Sequence, residues 1–250
     1  GDHVMSYHQG IDSISSSGVK MLINKTPAHF HLRYAEGAPE PVTRPLVFGS
    51  AFHALVLEGE AVCRAQYGVA PAHPGTAKYE AWLSNEDTLE GGVKQEDWDE
   101  MQRMRDALMK HSEINALLGQ AAIIEERMDW IDEDHLVNCK IKPDFLARDG
   151  SVMIDLKTTV DASNHGVYSA VRRYDYDLSA AMYLRGVSAV HGMTPQWGWV
   201  FIEKGTRIPR LVWASDEPIS TGNDKLNHGL GIYADCLKSG TWPGYETLNL

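Results

Sequence analysis

The sequence predicts one α/β domain, a mixed β-sheet flanked by helices on both sides. Three observations carry this reading. The N-terminal part has apolar residues at helical spacing, strand-like alternation begins at Ala121, and two further strands later sit among returning helical runs. No internal repeat or low-complexity tract divides the chain. With 250 residues and 43% hydrophobic content, 1–250 is read as a single domain.

Residues 1–13 are expected to be disordered or foreign to the natural chain and are left out of the fold. ISSSGVKMLINKTPAHF reads as a Ser-capped helix with Val19, Leu22 and Ile23 on its apolar face, then a second helix entered at Pro27. The Pro-rich EGAPEPVTRP forms a loop, and LVFGSAFHALVLEGE returns to helix through Phe48, Phe52, Leu55 and Val56. Residues 68–94 hold Pro, Gly and polar clusters and are expected to be a mobile loop region. Helical spacing resumes over 95–118. AIIEERMDW, HLVNCKIKPDFLA and SVMIDLKTT read as three strands, turned at 132–134 and at Asp149-Gly150. Helices are expected over 162–173 and 178–190. The strands PQWGWVFIE and PRLVWAS then turn at Lys204-Gly205, and a last helix spans 219–239.

Bulk properties exclude some classes. No apolar run approaches the 18 residues of a membrane span, and no basic segment with an apolar core opens the chain. Cys63, Cys139 and Cys236 are scattered and odd in number, giving neither a disulfide framework nor a CxxC metal site. A cytoplasmic, non-membrane protein is expected. The net charge of −11 argues against a nonspecific basic nucleic-acid coat, though not against acids gathered around metal ions beside a basic groove.

The chemistry concentrates in KIKPDFLARDGSVMIDLKTT. Alternation puts Met153, Asp155 and Lys157 on one face of a mostly buried strand, with Val152 and Ile154 on the other. A buried charge needs a partner, so the simplest reading is an Asp155–Lys157 ion pair. The Asp149-Gly150 turn, however, brings Asp144 nearly opposite Asp155. Two adjacent carboxylates repel unless a cation lies between them, and Mg²⁺ suits one or two carboxylates plus water and a phosphate oxygen.

Pro143, Asp144, Asp155 and Lys157 resemble the PD-(D/E)XK nuclease signature, whose acids hold metal and whose lysine helps activate or position water. GSAFHALVLE looks like the helical His motif of the RecB-like branch, which makes His53 a metal ligand beside Asp144 and Asp155. Glu125 in IIEERMDW matches a further acid of such sites; strand parity does not separate it from Glu126, and Glu125 is favoured. The QxxxY motif of the branch falls on SAAMY, with Ser179 in place of Gln and Tyr183 retained.

Together with YDLSAAMY and WPGY, these motifs, spread over 14–245, resemble phage and prophage exonuclease VIII, the RecE-type nuclease domain. The resemblance implies a PD-(D/E)XK fold that degrades linear double-stranded DNA from 5′ ends and leaves 3′ single strands. It also implies Mg²⁺ as cofactor, with Mn²⁺ able to substitute, a RecT-like single-strand annealing partner and a homotetrameric ring. Lys157 then orients the attacking water, takes part in its deprotonation or offsets developing charge. Arg172, Arg173, Tyr174 and Ser179 are candidate DNA contacts, as are Tyr176, Lys20, Arg33, Lys140 and Lys142; a solvated helix end is the plainer reading of VRRYDYD. The alternatives are another RecB-like endonuclease or single-strand nuclease, and a catalytically degenerate DNA-binding or recombination-partner protein.

Overall fold

A computed structural model describes residues 10–39, 43–69, 76–83 and 92–247. The chain opens with helices α1 (Ser16–Asn24) and α2 (Pro27–Tyr34). The Ser15 and Thr26 side chains cap them by accepting from the amides of Gly18 and His29, and Pro27 occupies the first turn of α2. Helix α3 (Arg44–His53) runs into a single π-helical turn, Ala54–Glu58, which Gly59 ends at φ 96° before α4 (Glu60–Tyr67).

Within the stretch expected to be loop, Val69 bridges to Val93 and a helix, α5 (Ala77–Leu83), intervenes. The remainder, 70–75 and 84–91, lies outside the described residues, as do residues 1–9 of the segment set aside at the N-terminus. The expected 95–118 helix is two, α6 (Gln95–Lys110) and α7 (Ser112–Leu118). His111 takes an extended backbone between them and its ring accepts from the Ile114 amide.

Two expected strands each divide. AIIEERMDW becomes β1 (Ala122–Ile123) and β2 (Met128–Asp132), and HLVNCKIKPDFLA becomes β3 (Val137–Ile141) and β4 (Phe145–Ala147). Strands β2 and β3 pair only with each other as a separate antiparallel ribbon. The main sheet runs in the order β1-β4-β5-β6-β7, with β5 (Val152–Thr159), β6 (Gln196–Glu203) and β7 (Pro209–Trp213). Only β5 and β6 are parallel, so the sheet is mixed as the sequence predicts. Their crossover carries α8 (Asn164–Arg173) and α9 (Tyr176–His191), and the chain closes with α10 (Asp216–Ser239).

Strand alternation sorts the core into two layers. Met153, Trp197, Trp199 and Phe201 pack with residues of α1, α2, α8, α9 and α10. Ile154, Leu156, Val200 and Ile202 pack with residues of α3, α4, α6 and α7. Strand β5 is thus covered on both faces, which makes any charge on it expensive. No helix among the described residues is long and apolar enough to cross a membrane.

Candidate metal centre

The site forms where the sheet is interrupted. Strand β4 pairs with β5 at Phe145↔Ile154 and Leu146↔Met153 and goes no further. The next residue back along β4's side is Asp144. Its Oδ2 accepts from the Leu156 amide at 2.9 Å, so a carboxylate satisfies the backbone donor that a longer strand would have paired. The hairpin register therefore puts Asp144 beside Asp155.

Side chains from both layers meet at this gap. His53, at the end of α3 where the π-helical turn begins, brings Nδ1 to 3.4 Å from Asp144 Oδ2. Single π turns recur at functional positions because they re-aim side chains in mid-helix. Glu125, expected on the strand AIIEERMDW, lies instead between β1 and β2 with φ 52°, and its amide donates to the Pro143 carbonyl at 2.9 Å. A left-handed backbone is uncommon for a non-glycine residue and persists only where its surroundings hold it. The result is a cluster of three: ligand atoms of His53, Glu125 and Asp144 all lie within 4.8 Å of one another. Glu125, not Glu126, is the glutamate of this cluster. It completes the trio in which the sequence reading had put Asp155.

Asp155 stands next to this cluster. Its Oδ1 accepts from Lys157 Nζ at 2.7 Å, while Oδ2 is buried with no hydrogen-bond partner. Lys157 Nζ also lies 5.1 Å from the Tyr176 ring centroid. Lys142 pairs with Glu125 Oε2 at 2.7 Å.

The electrostatics are those of an acid cluster held out of water. Burial first, and then the charge of Asp155, pushes the Asp144 carboxyl up to about 7. Burial and the neighbouring Asp144 raise Glu125 as well, against the pull of Lys142. Burial, followed by the positive charge of Lys157, pulls His53 down to about 4, so its imidazole is neutral and able to ligate. Burial opposes the charge on Lys157, but Asp155 and Asp144 together hold it above its ordinary range. A divalent cation fits this arrangement: it would hold His53, Glu125 and Asp144, and the orphaned Asp155 oxygen is a further hard donor beside them.

The remaining expected residues lie farther out. Tyr183 packs edge-on against Trp197, with ring centroids 6.0 Å apart. Ser179 sits one turn into α9 and is partly buried. Arg173, Tyr174 and Tyr176 line a groove of about 400 Å³ with Thr158 and Thr159 at the end of β5. Arg172 turns away into a different cavity of about 730 Å³ with Asp177, Trp199 and Lys225, so the neighbouring arginines do not act together. Lys140 is 2% exposed within β3, which removes it from any DNA-facing surface. Arg33 donates to the Ala38 carbonyl at 3.0 Å. The sequence reading missed the Leu156 amide, because a backbone donor freed by a strand's end leaves no local signal.

A mixed sheet interrupted beside a His-Glu-Asp cluster, with an Asp-x-Lys strand running through it, defines a fold and site of the PD-(D/E)XK class. The chain belongs to the family described as "PDDEXK-like domain of unknown function (DUF3799)", whose profile matches residues 15–249. Its structure is similar to that of a Eubacterium rectale protein provisionally described as an exonuclease, with 15% identity, a TM-score of 0.68, and 96% of this chain and 88% of that one covered. That likeness establishes the shared fold. Weaker likenesses extend to a phage-related exonuclease from Haemophilus somnus (13% identity, 94% and 98% covered, TM-score 0.37) and an alkaline exonuclease from Laribacter hongkongensis (13%, 76% and 97%, 0.31). None of the curated proteins compared with the chain matches it.

Proposed function

We propose that the chain is a Mg²⁺-dependent exodeoxyribonuclease that digests linear duplex DNA from 5′ ends, leaving 3′ single strands for a RecT-like annealing partner. The observation that carries the nuclease reading is the convergence of His53, Glu125 and Asp144 beside an Asp155–Lys157 pair. A merely structural role does not explain three acids and an imidazole gathered in a buried gap of the sheet, since burial raises two of those acids and leaves an oxygen of the third unpaired. The duplex-end substrate, the direction, the annealing partner and a homotetrameric ring rest on the motif resemblance to the RecE-type domain.

In this reading His53, Glu125 and Asp144 hold the ion, with Asp155 completing its surroundings. Bound there, Mg²⁺ supplies Lewis acidity toward a phosphoryl oxygen and lowers the pKa of a water. The Asp144 carboxylate is oriented by the Leu156 amide, and Glu125 by its backbone bond to Pro143. Lys157, clamped to Asp155 at 2.7 Å, works as a fixed positive charge that offsets the developing phosphorane. Of the three roles open from the sequence, the ion pair favours this one over proton abstraction.

The test is digestion of end-labelled linear duplexes with Mg²⁺, comparing 5′ and 3′ labels with covalently closed circles. Loss of the 5′ label first and intact circles are expected. Nicked circles would replace this reading with an endonuclease, and no cleavage of any substrate would overturn it.

A further inference from the structure

Lys20, on α1, reaches the edge of the metal centre close to Asp155 and Lys157. Its Nζ lies 5.6 Å from the Tyr176 ring centroid, and Lys157 Nζ lies 5.1 Å from the same centroid, so one phenol ring is shared by two ammonium groups. The aromatic face compensates each weakly, by about 0.5–1 kcal/mol where water is near and more where it is excluded.

Nothing else in the described structure satisfies Lys20. It makes no hydrogen bond or ion pair among the described residues, although it is partly buried and carries three donors. The acids nearest to it are already engaged. Asp175 is bound by Lys225 Nζ and by the Asn24 amide, both at 2.7 Å. Asp177 is bound by Lys225 at 2.9 Å, and Asp155 Oδ1 by Lys157. Burial first, then Lys157, pulls Lys20 down to about 8, against Asp155, Asp175 and Asp177. A desolvated ammonium with unfilled donors is costly unless a ligand supplies the missing acceptors. Close by, Asp155 Oδ2 is an acceptor without a donor. The two unmet groups have opposite sign, lie at one site and are not bonded to each other.

We propose that Lys20 is a phosphate-binding residue of the nuclease site, donating to a non-bridging oxygen of the phosphodiester that is cut. This rests on the nuclease reading above. It assigns the two lysines different tasks: Lys157 is committed to Asp155, whereas all three Lys20 donors are open to the substrate. Both ammonium groups lie against the one Tyr176 ring. The N-terminal helix thereby becomes part of the substrate site.

The experiment uses the full chain as wild type, Lys20→Met and Lys20→Arg. Three quantities are read: kcat/KM on linear duplex with Mg²⁺, the slope of log binding constant against log salt for duplex in chelator, and the metal-free Tm. Loss of a charge-assisted phosphate contact lowers kcat/KM by about 10- to 100-fold in Lys20→Met and flattens the slope by about 0.9. Lys20→Arg recovers most of both. The Tm of Lys20→Met stays level or rises, since an unpaired buried charge has been removed. A merely structural lysine gives the opposite, a fall in Tm with an unchanged slope, and that result overturns the proposal. So does wild-type kcat/KM with a wild-type slope. Wild-type protein that binds duplex without cutting it would sink the nuclease reading, yet an unchanged slope in Lys20→Met would still decide against Lys20. Wild-type protein that neither binds nor cuts duplex DNA would overturn both.

Discussion

Asp144→Asn separates stability from function in this site. The folded chain holds the Asp144 proton more tightly than the unfolded chain does, because burial and Asp155 raise the carboxyl from 3.8 to about 7. Metal-free wild type therefore loses stability as pH rises from the ordinary carboxylate value through about 7, and the loss is complete above that. At about 1.4 kcal/mol per pH unit, the ceiling is roughly 4 kcal/mol. Relaxation and water entry reduce it, and about 1–2 kcal/mol is expected. Asn removes the charge, while its amide oxygen can still accept from the Leu156 amide that Asp144 now binds. In chelator at pH 8, Asp144→Asn should melt about 3–6 °C above wild type. At pH 5 the folded carboxyl is still protonated but the unfolded one is already ionised, so roughly a third of that gap, about 1–2 °C, should remain. DNA hydrolysis should be lost, since a carboxylate ligand has become an amide. The assay is thermal unfolding at both pH values, with end-labelled duplex digestion in parallel. Destabilisation of equal size at pH 5 and pH 8 would refute the reasoning and make Asp144 a structural hydrogen-bond acceptor.

Asp155→Ala and Lys157→Ala should each lower turnover on linear duplex by at least about 100-fold, since the pair is aimed at developing charge; wild-type turnover in either removes it from the chemistry. Glu125→Gln should weaken Mg²⁺ binding about tenfold or more in calorimetric titration, because a hard cation prefers the charged oxygen. An unchanged Kd would leave His53, Asp144 and Asp155 as the ligands. Gly222→Ala tests the packing of α10 on α9: a Cβ there would lie 2.1 Å from the Asp177 carbonyl oxygen, a backbone atom with little room to move. A loss of about 2–3 kcal/mol is expected in urea unfolding, and a neutral result would mean that the helices can separate.

Much of the site was legible in one strand. A period of two puts Asp155 and Lys157 on one face of β5, and the structure pairs them at 2.7 Å. The Asp149-Gly150 turn fixes the hairpin register, and with it the neighbouring positions of Asp144 and Asp155. The strands before it were read as continuous, because NCKIKPDF alternates through both halves whichever partner each takes, and nothing in the charged residues 125–127 of IIEERMDW marks a change of partner. Local period does not reveal that β2 and β3 leave the main sheet to pair with each other. The choice between Glu125 and Glu126 was hidden for the same reason: a left-handed residue between two strands suspends the parity rule.

The sequence by itself determined the mixed α/β architecture, the acid–lysine face of β5 and the motif order of a PD-(D/E)XK domain, all set by local period, turn chemistry and residue type. Tertiary structure alone decided which side chains share one small volume. His53 arrives from one layer and Lys20 from the other, Glu125 turns in through a strained backbone, and Arg172 turns away from Arg173. The physical reason is that β4 ends after two pairs, which opens the sheet and lets groups from both faces meet. A strand's length is set by what packs against it, and that is written across the whole chain.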